Sequence, residues 1–480
     1  MIFEILSSHP IHGNKTFYYD NEFNILKDSE GNVFEYSTIQ MPDLKETRPF
    51  SKDAPLKKSK DVHIIKIQLG LSCNYTCDYC SQRFVERPPE TSKKDIDAFL
   101  SKLDVLNIDE THGIKFEFWG GEPLVYWKTL KPLAEAIREK YSHWTKNTPM
   151  FSMVTNGSLL TREICSWLYF MNFNIGISHD GPGQYVRGPD PFDDPEKKEI
   201  ILEFYNIMHE QNRISFNTMM NRRNTSRQAV RDWFVQLTGK EDVRIGEGNF
   251  VDAYDDAAIE NSLQSYEEHF EYRRNAFQEL IENGASLNFG NTLAKVDMFT
   301  REVLTHFESK YTGQKCGMDD EHTIAIDLKG NVVTCQNVSI METSKNGESH
   351  LGGNLDDYEN VSIKSATHWK NRDVCVKCPV LHLCKGSCMY LDGKYWDVTC
   401  DSAYSDNVAL FAVALTRITE GYVPYAISSK ELPPDRQDIW GTILKHEEKP
   451  KRKTIPIKVV AEVVGKIDDV EVYGKTRLEN

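Results

Sequence analysis

Residues 73–80 read CNYTCDYC, which places three cysteines within eight positions of a 480-residue chain that has only 11 in all. The stretch just before them, VHIIKIQLGLS (62–72), is rich in β-branched residues and ends in Gly and Ser, the pattern of a buried strand running into a loop. Five further segments repeat that form: KFEFWGGEPL (115–124), MFSMVTNGS (150–158), NIGISHDGP (174–182), ISFNTMMN (214–221) and DVRIGEG (242–248). Between them lie stretches of helical period, KDIDAFLSKLDVL (94–106), LKPLAEAIREKY (130–141), REICSWLYF (162–170) and EKKEIILEFYNIMHEQ (196–211). Strands alternating with helices predict parallel βα units, whose ligand-binding loops gather at the carboxyl ends of the strands. The three cysteines, GGEP, TNG and SHDGP all fall at those ends, so they share one rim.

Composition narrows what the rim does. At 480 residues and 40% hydrophobic content the chain holds more than one compact unit, at roughly 150 residues per domain. A net charge of −15, from 72 acidic and 57 basic residues, disfavours a general nucleic-acid binder, which needs a basic face. The opening MIFEILSSHPIHGNK has no basic region, apolar core and small-residue cleavage site in sequence, and no apolar run approaches the roughly 18 residues of a membrane helix. The expectation is a cytoplasmic protein that binds neither membrane nor nucleic acid. In a reducing compartment its cysteines point to metal ligation or catalysis.

Four thiolates would close a tetrahedral zinc site or complete an iron–sulfur cluster, whereas three hold a cubane by three irons and leave the fourth open to a ligand. Taken alone, the three also fit a zinc site completed by a distant histidine. Together with the strand-end motifs, however, CNYTCDYC resembles the CxxxCxxC signature of the radical S-adenosylmethionine superfamily, with Tyr79 in the aromatic position before the last cysteine. GGEP (Gly120, Gly121, Glu122, Pro123), TNG (Thr155, Asn156, Gly157) and SHDG (Ser178 to Gly181) follow in the family's order. The resemblance implies a partial (β/α)6 TIM-like barrel in which Cys73, Cys77 and Cys80 hold a 4Fe-4S cluster and its open iron chelates S-adenosylmethionine. Reductive cleavage then yields a 5′-deoxyadenosyl radical that abstracts hydrogen from substrate. On the same pattern Glu122 anchors the methionine ammonium; Thr155, Asn156, Ser178 and Asp180 suit the ribose and methionyl end; Asn217 is a further contact; and Arg187 pairs with the methionine carboxylate or with substrate. Cys165, inside a helical stretch, reads as a packing residue.

The remaining seven cysteines form a second pattern. Cys316 is followed by Gly330 and Cys335, then by C-x2-C-x5-C-x3-C at Cys375, Cys378, Cys384 and Cys388, and Cys400 closes the set. This resembles the SPASM extension of radical enzymes that modify peptides and proteins. The family's interleaved pairing assigns Cys316, Cys335 and Cys388 to auxiliary cluster I and Cys375, Cys378, Cys384 and Cys400 to cluster II, for three clusters in all. Cluster I is one ligand short, and Asp319 and His322 lie near Cys316 in sequence. In the sulfatase-maturase pattern an aspartate directly follows the second cysteine and acts as base; here Gln336 stands there, and an amide cannot take that proton. The resemblance therefore implies a maturase of a ribosomally made precursor peptide that forms an intramolecular side-chain crosslink (C–C, C–O or C–S), supplied with electrons by an external donor such as flavodoxin or ferredoxin. Peptide epimerisation and sulfatase maturation are the alternatives, and a multi-cluster electron carrier is the alternative without chemistry. A carrier has no need of GGEP, TNG and SHDG around an open iron. No catalytic base is assigned.

The domain boundaries implied are a small β-rich N-terminal extension (1–60), the radical barrel with bridging helices (61–310), a cysteine-rich SPASM domain (311–425) and a C-terminal extension (426–480). The extension, with KTFYYDNEF (15–23) and GNVFEYS (31–37), reads as strands that either pack or accept a leader peptide at an open edge. TIPIKVVAEVV (454–464) reads as a further strand. The acidic runs DPFDDPEKKE (190–199) and VDAYDDAAIE (251–260) read as solvated faces or as attractors of a basic peptide.

Overall fold

The computed structural model describes residues 1–36 and 44–442. Its strands begin with β1 (Ile2–His9), β2 (Gly13–Asp20), β3 (Ile25–Asp28) and β4 (Leu56–Lys57), followed by β5 (Ile64–Gln68), β6 (Lys115–Trp119), β7 (Met150–Thr155), β8 (Phe173–Ser178) and β9 (Ile214–Asn217). After the long helices Tyr266–Glu282 and Gly290–Leu304 come β10 (Thr323–Asp327), β11 (Asn331–Val333), β12 (Leu351–Asn354), β13 (Ser362–Ile363) and β14 (Val423–Ser428). One sheet runs β12-β11-β10-β5-β6-β7-β8-β9, parallel from β10 to β9, with β11 and β12 antiparallel at one edge. This is the expected partial barrel.

Alternation along these strands separates two faces. Ile65, Ile67, Phe116, Phe118, Phe151, Met153, Ile175 and Phe216 are buried against the helices, each worth about 1.5–3 kcal/mol of transfer free energy. The opposite face is polar and half-buried: Lys66 and Glu117 stand on adjacent registered positions 4.0 Å apart, with Gln68, Ser152 and Asn217 on the same face. A parallel sheet that buried both faces would be apolar throughout. The polar inner face is instead available to a ligand.

The segment expected as a sixth barrel strand, 242–248, is not a regular strand. Only Ile245 bridges, parallel to Phe216 and to Phe289. Its glycines explain this: a Cβ on Gly246 would stand 2.6 Å from the Asn217 Oδ1, and Gly248 has φ +120°. The chain here yields regular pairing to bring its backbone against Asn217.

Residues 1–28 do not form a separate unit. They join β14 in the sheet β14-β1-β2-β3, with β1 paired on both sides, so any leader strand would have to add at β3 or β14. GNVFEYS contributes a single bridge, Val33 to Lys27, and Ser37 lies outside the described residues. The hairpin turn docks onto the second cysteine region, where the Asn21 Nδ2 donates to the carbonyls of Val376 and Cys378 at 3.1 and 2.9 Å and the His382 Nε2 lies 2.9 Å from the Asn21 carbonyl. The strand expected at 454–464 lies outside the described residues. Among the described residues no helix is long and apolar enough to cross a membrane.

The helix Gly393–Ile418 ties the two halves together, and its run Val408–Leu415 is buried all round. Within it the Asp406 carboxylate accepts from the Arg227 Nη2 at 2.6 Å and from the Tyr272 hydroxyl at 2.7 Å, with both charges at most 3% exposed. Removing one partner of such a pair strands a buried charge. Asp406→Leu should therefore lose about 3–5 kcal/mol in urea denaturation, and adding Arg227→Met should recover most of it.

Candidate functional site

The loop after β5 carries the first three thiols. Cys80 N–H donates to the Cys77 carbonyl at 3.1 Å, while the amides of Tyr75 and Gln82 approach the sulfurs of Cys73 and Cys80 at 3.4 Å each. All three side chains are half-buried. Burial pushes each thiol above its ordinary pKa, so the thiolates a cluster needs form as iron binds and protons leave. Among the described residues no three His, Cys, Asp or Glu side chains converge on a single ion. A cubane instead takes each thiolate on a different iron, so the donor set suits a cluster.

The glycines of GGEP are required by this loop. A Cβ on Gly121 would stand 2.3 Å from the Ser72 carbonyl oxygen and 2.8 Å from the Cys73 nitrogen, and one on Gly120 would stand 2.8 Å from the Gly70 carbonyl. The Gly121 and Glu122 amides donate to Gly70 and Ser72 at 3.1 and 3.0 Å, and Pro123 opens the short turn Pro123–Tyr126. Glu122, 2% exposed, is largely engaged by the protein itself: it accepts from Leu124 N at 3.0 Å, the Thr155 hydroxyl at 2.6 Å and Asn156 N at 2.7 Å. Burial raises its carboxyl pKa above the ordinary value against those donors. Its first role is thus to clamp the end of β7 to GGEP, which leaves at most one lone-pair direction for an incoming ammonium. The Asn156 side chain in turn donates to the Asn74 Oδ1 at 2.9 Å, inside the cysteine loop.

Asp180 is fully buried and joins three segments. It takes the Tyr79 hydroxyl on one oxygen and Met219 N on the other at 2.9 Å, and the Arg187 Nη1 lies 3.4 Å from it and 2.8 Å from the Tyr79 hydroxyl. Burial works to lower the Arg187 pKa, but Tyr79 and Asp180 outweigh it and hold it above the ordinary value. These three residues, expected to contact the cofactor separately, are brought together as one lock under the cysteine loop. Ser178 is half-buried at the end of β8, and Asn217 at the end of β9 packs between Gly176 and Gly246. Cys165 is buried in the helix Arg162–Phe170, as its helical setting predicts.

The seven downstream thiols fall into two groups. Cys375 has Cys384, Cys400 and Cys378 as electrostatic neighbours, whereas Cys388 has Cys316 and Cys335. Around the first group stand cations that sequence reading missed: the Arg436 Nη2 is 3.2 Å from the Cys400 sulfur, and Lys315 and Lys295 face Cys384. Around the second stand Tyr254, whose hydroxyl lies 3.4 Å from the Asp252 Oδ2, and Tyr390, whose hydroxyl donates to the Thr334 carbonyl at 2.8 Å, with Lys66 facing Cys316 and Cys335. Their sequence positions carry no periodic or motif signal. Gln336 bridges the two cysteine regions: its carbonyl accepts from the Gln68 Nε2 at 2.7 Å and the Gln82 Nε2 at 3.4 Å, and Gln82 lies just past Cys80.

Comparison with known proteins agrees with this geometry. Residues 67–232 match the Radical SAM superfamily model. The chain is 23% identical over 443 residues to the radical SAM cyclopropyl synthase TigE of Paramaledivibacter caminithermalis, an alignment covering 83% of this chain and 85% of that protein. It is 22% identical over 340 residues to the cysteine-type anaerobic sulfatase-maturating enzyme of Clostridium perfringens, covering 66% of this chain and 85% of that one. In fold it resembles native anSMEcpe with bound AdoMet and Cp18Cys peptide, at a TM-score of 0.53 and 16% identity over 75% of this chain and 98% of that chain.

The clamp at Glu122 generates a test. Glu122→Gln places an amide N–H₂ against at least one of the three donors now facing the carboxylate, so it should cost about 1–3 kcal/mol in thermal or urea unfolding. It should also weaken S-adenosylmethionine binding in equilibrium dialysis of the reconstituted protein.

Proposed function

We propose that this chain, whose residues 67–232 match the Radical SAM superfamily model, presents one substrate carbon at the rim above β5 to β9, and that the substrate is a ribosomally made precursor peptide in which it closes an intramolecular bond. When bound, the cluster and S-adenosylmethionine supply a 5′-deoxyadenosyl radical that takes a hydrogen atom from that carbon. The protein's part is positioning. Cys73, Cys77 and Cys80 hold the radical cluster on a loop fixed from below by Asp180 and from the side by Gly120 and Gly121. Glu122, Thr155 and Asn156 set the wall toward the methionyl end, with Ser178 and Asn217 farther along the rim. The polar inner face with Lys66, Gln68 and Glu117 receives the peptide.

Two auxiliary clusters, I on Cys316, Cys335 and Cys388 and II on Cys375, Cys378, Cys384 and Cys400, complete the reading. Closing a bond by removing two hydrogens leaves a second electron after the hydrogen atom is taken, which clusters held by these thiols would accept, while an external donor such as flavodoxin or ferredoxin would supply the electron for cleavage of S-adenosylmethionine. The observation that carries the peptide reading is Gln336. It directly follows Cys335, where the sulfatase-maturase pattern has its base; its side-chain oxygen accepts from the Cys335 thiol at 3.4 Å, and an amide has no proton-accepting carboxylate to offer. Likeness to a cyclopropyl synthase over most of both chains supports a carbon–carbon bond as the product, including one closed within a single side chain.

Two outcomes are expected. Co-expression with small open reading frames encoded nearby should yield a peptide lighter by about two daltons per bond formed, and tandem mass spectrometry should place the new bond within one residue or between two. Unchanged mass with deuterium uptake at an α-carbon would instead establish epimerisation, and modification of a sulfatase alone would overturn the peptide reading. Replacing Cys73, Cys77 and Cys80 together by Ala should abolish cleavage of S-adenosylmethionine to 5′-deoxyadenosine while leaving about eight of about twelve irons bound.

A further inference from the structure

We propose that Asp252 supplies the fourth ligand of auxiliary cluster I, an oxygen completing the set of Cys316, Cys335 and Cys388; the inference rests on the auxiliary-cluster reading above. Three thiols satisfy three irons of a cubane and leave one. Asp319 and His322, the candidates near Cys316 in sequence, are already engaged. Asp319 accepts from the Gln314 amide at 2.8 Å and from the buried His368 at 3.3 Å on the same oxygen. The His322 Nδ1 lies 2.6 Å from the Asp61 carbonyl, and its ring stacks on His63 at 4.8 Å.

Asp252 was legible only as part of an acidic run, yet the fold turns it inward, with its side chain 14% exposed. Its Oδ1 accepts from the Ser387 hydroxyl at 2.9 Å, one residue before Cys388. Its Oδ2 has only long contacts, the Tyr254 hydroxyl at 3.4 Å and the Lys315 Nζ at 3.9 Å. The hydroxyls of Ser387 and Tyr254 thus flank the two oxygens of a carboxylate that faces Cys388. Ser387 fixes one carboxylate oxygen and leaves the other for iron. Bonding of that oxygen to iron changes no oxidation state. Other oxygens near this set are already engaged: the Tyr390 hydroxyl donates to the Thr334 carbonyl at 2.8 Å, and the Gln336 Oε1 accepts from the Cys335 thiol at 3.4 Å. Lys66 is the cation facing Cys316 and Cys335.

The test uses the full chain with Cys73, Cys77 and Cys80 replaced by Ala, reconstituted anaerobically, so that only auxiliary iron remains. The reduced parent should hold about eight irons and show electron paramagnetic resonance and ⁵⁷Fe Mössbauer spectra that added cyanide does not change, because every iron is ligated. Adding Asp252→Ala should open one iron: cyanide then shifts the g values of one cluster, and mild oxidation releases one iron per chain. Adding Asp252→Cys should restore cyanide insensitivity with altered g values, and this variant carries the test if the alanine protein folds poorly. A cyanide-induced shift in the parent, or an alanine variant identical to the parent, would overturn Asp252 as ligand while the two clusters stand. A parent with only about four irons would overturn the reading of cluster I itself.

Discussion

The buried carboxylate of Asp180 is the constraint on which the radical site depends. It draws the Tyr79 hydroxyl, the Arg187 guanidinium and the Met219 amide to one point. Each comes from a different segment: the cysteine loop, the turn after β8 and the chain after β9. A charged hydrogen bond of this kind contributes about 1.5–3 kcal/mol, and an unpaired charge in the same place costs several. The cysteine loop is therefore not free to settle on its own. Its position relative to the strand ends is tied to this carboxylate.

From that fixed point the remaining geometry follows by close approach. Gly120 and Gly121 let the end of β6 lie against the backbone of Ser72 and Cys73, where any side chain would collide. Glu122 then reaches back to the end of β7, and Asn156 returns from there to Asn74. Loop, strand end and strand end close into a ring of hydrogen bonds around the half-buried thiols. The polar inner face of the sheet continues it downward through Gln68, whose Nε2 donates to the carbonyls of Gln336 and Val338 at 2.7 and 2.9 Å just past Cys335.

Much of this was legible in the sequence, and the limits are physical. Strand ends marked by GGEP, TNG and SHDG placed the rim because period-two alternation and small residues at turns are local signals. The grouping of the seven downstream cysteines came from the family's interleaved pairing, which the resemblance implied and no local pattern shows. What stayed hidden depends on distant packing. The Asp180, Tyr79 and Arg187 lock joins residues up to 108 positions apart, and Asp252 meets Ser387 across 135. Segment 242–248 read as a strand because its pattern is right, but Gly246 and Gly248 spend it on contact with Asn217 and Phe289 instead. The N-terminal strands read as an extension, since nothing local reveals that β1 pairs with β14 more than 400 residues later.

The central proposal is that a radical made at Cys73, Cys77 and Cys80 is spent on a peptide lying across the polar inner face. The most direct measurement is the fate of the transferred hydrogen. With a precursor peptide carrying deuterium on its side-chain carbons, reductant and S-adenosylmethionine, 5′-deoxyadenosine should gain about one dalton, and its amount should follow that of modified peptide. Deoxyadenosine that forms at full rate without deuterium, from every precursor peptide offered in deuterated form, would contradict the account.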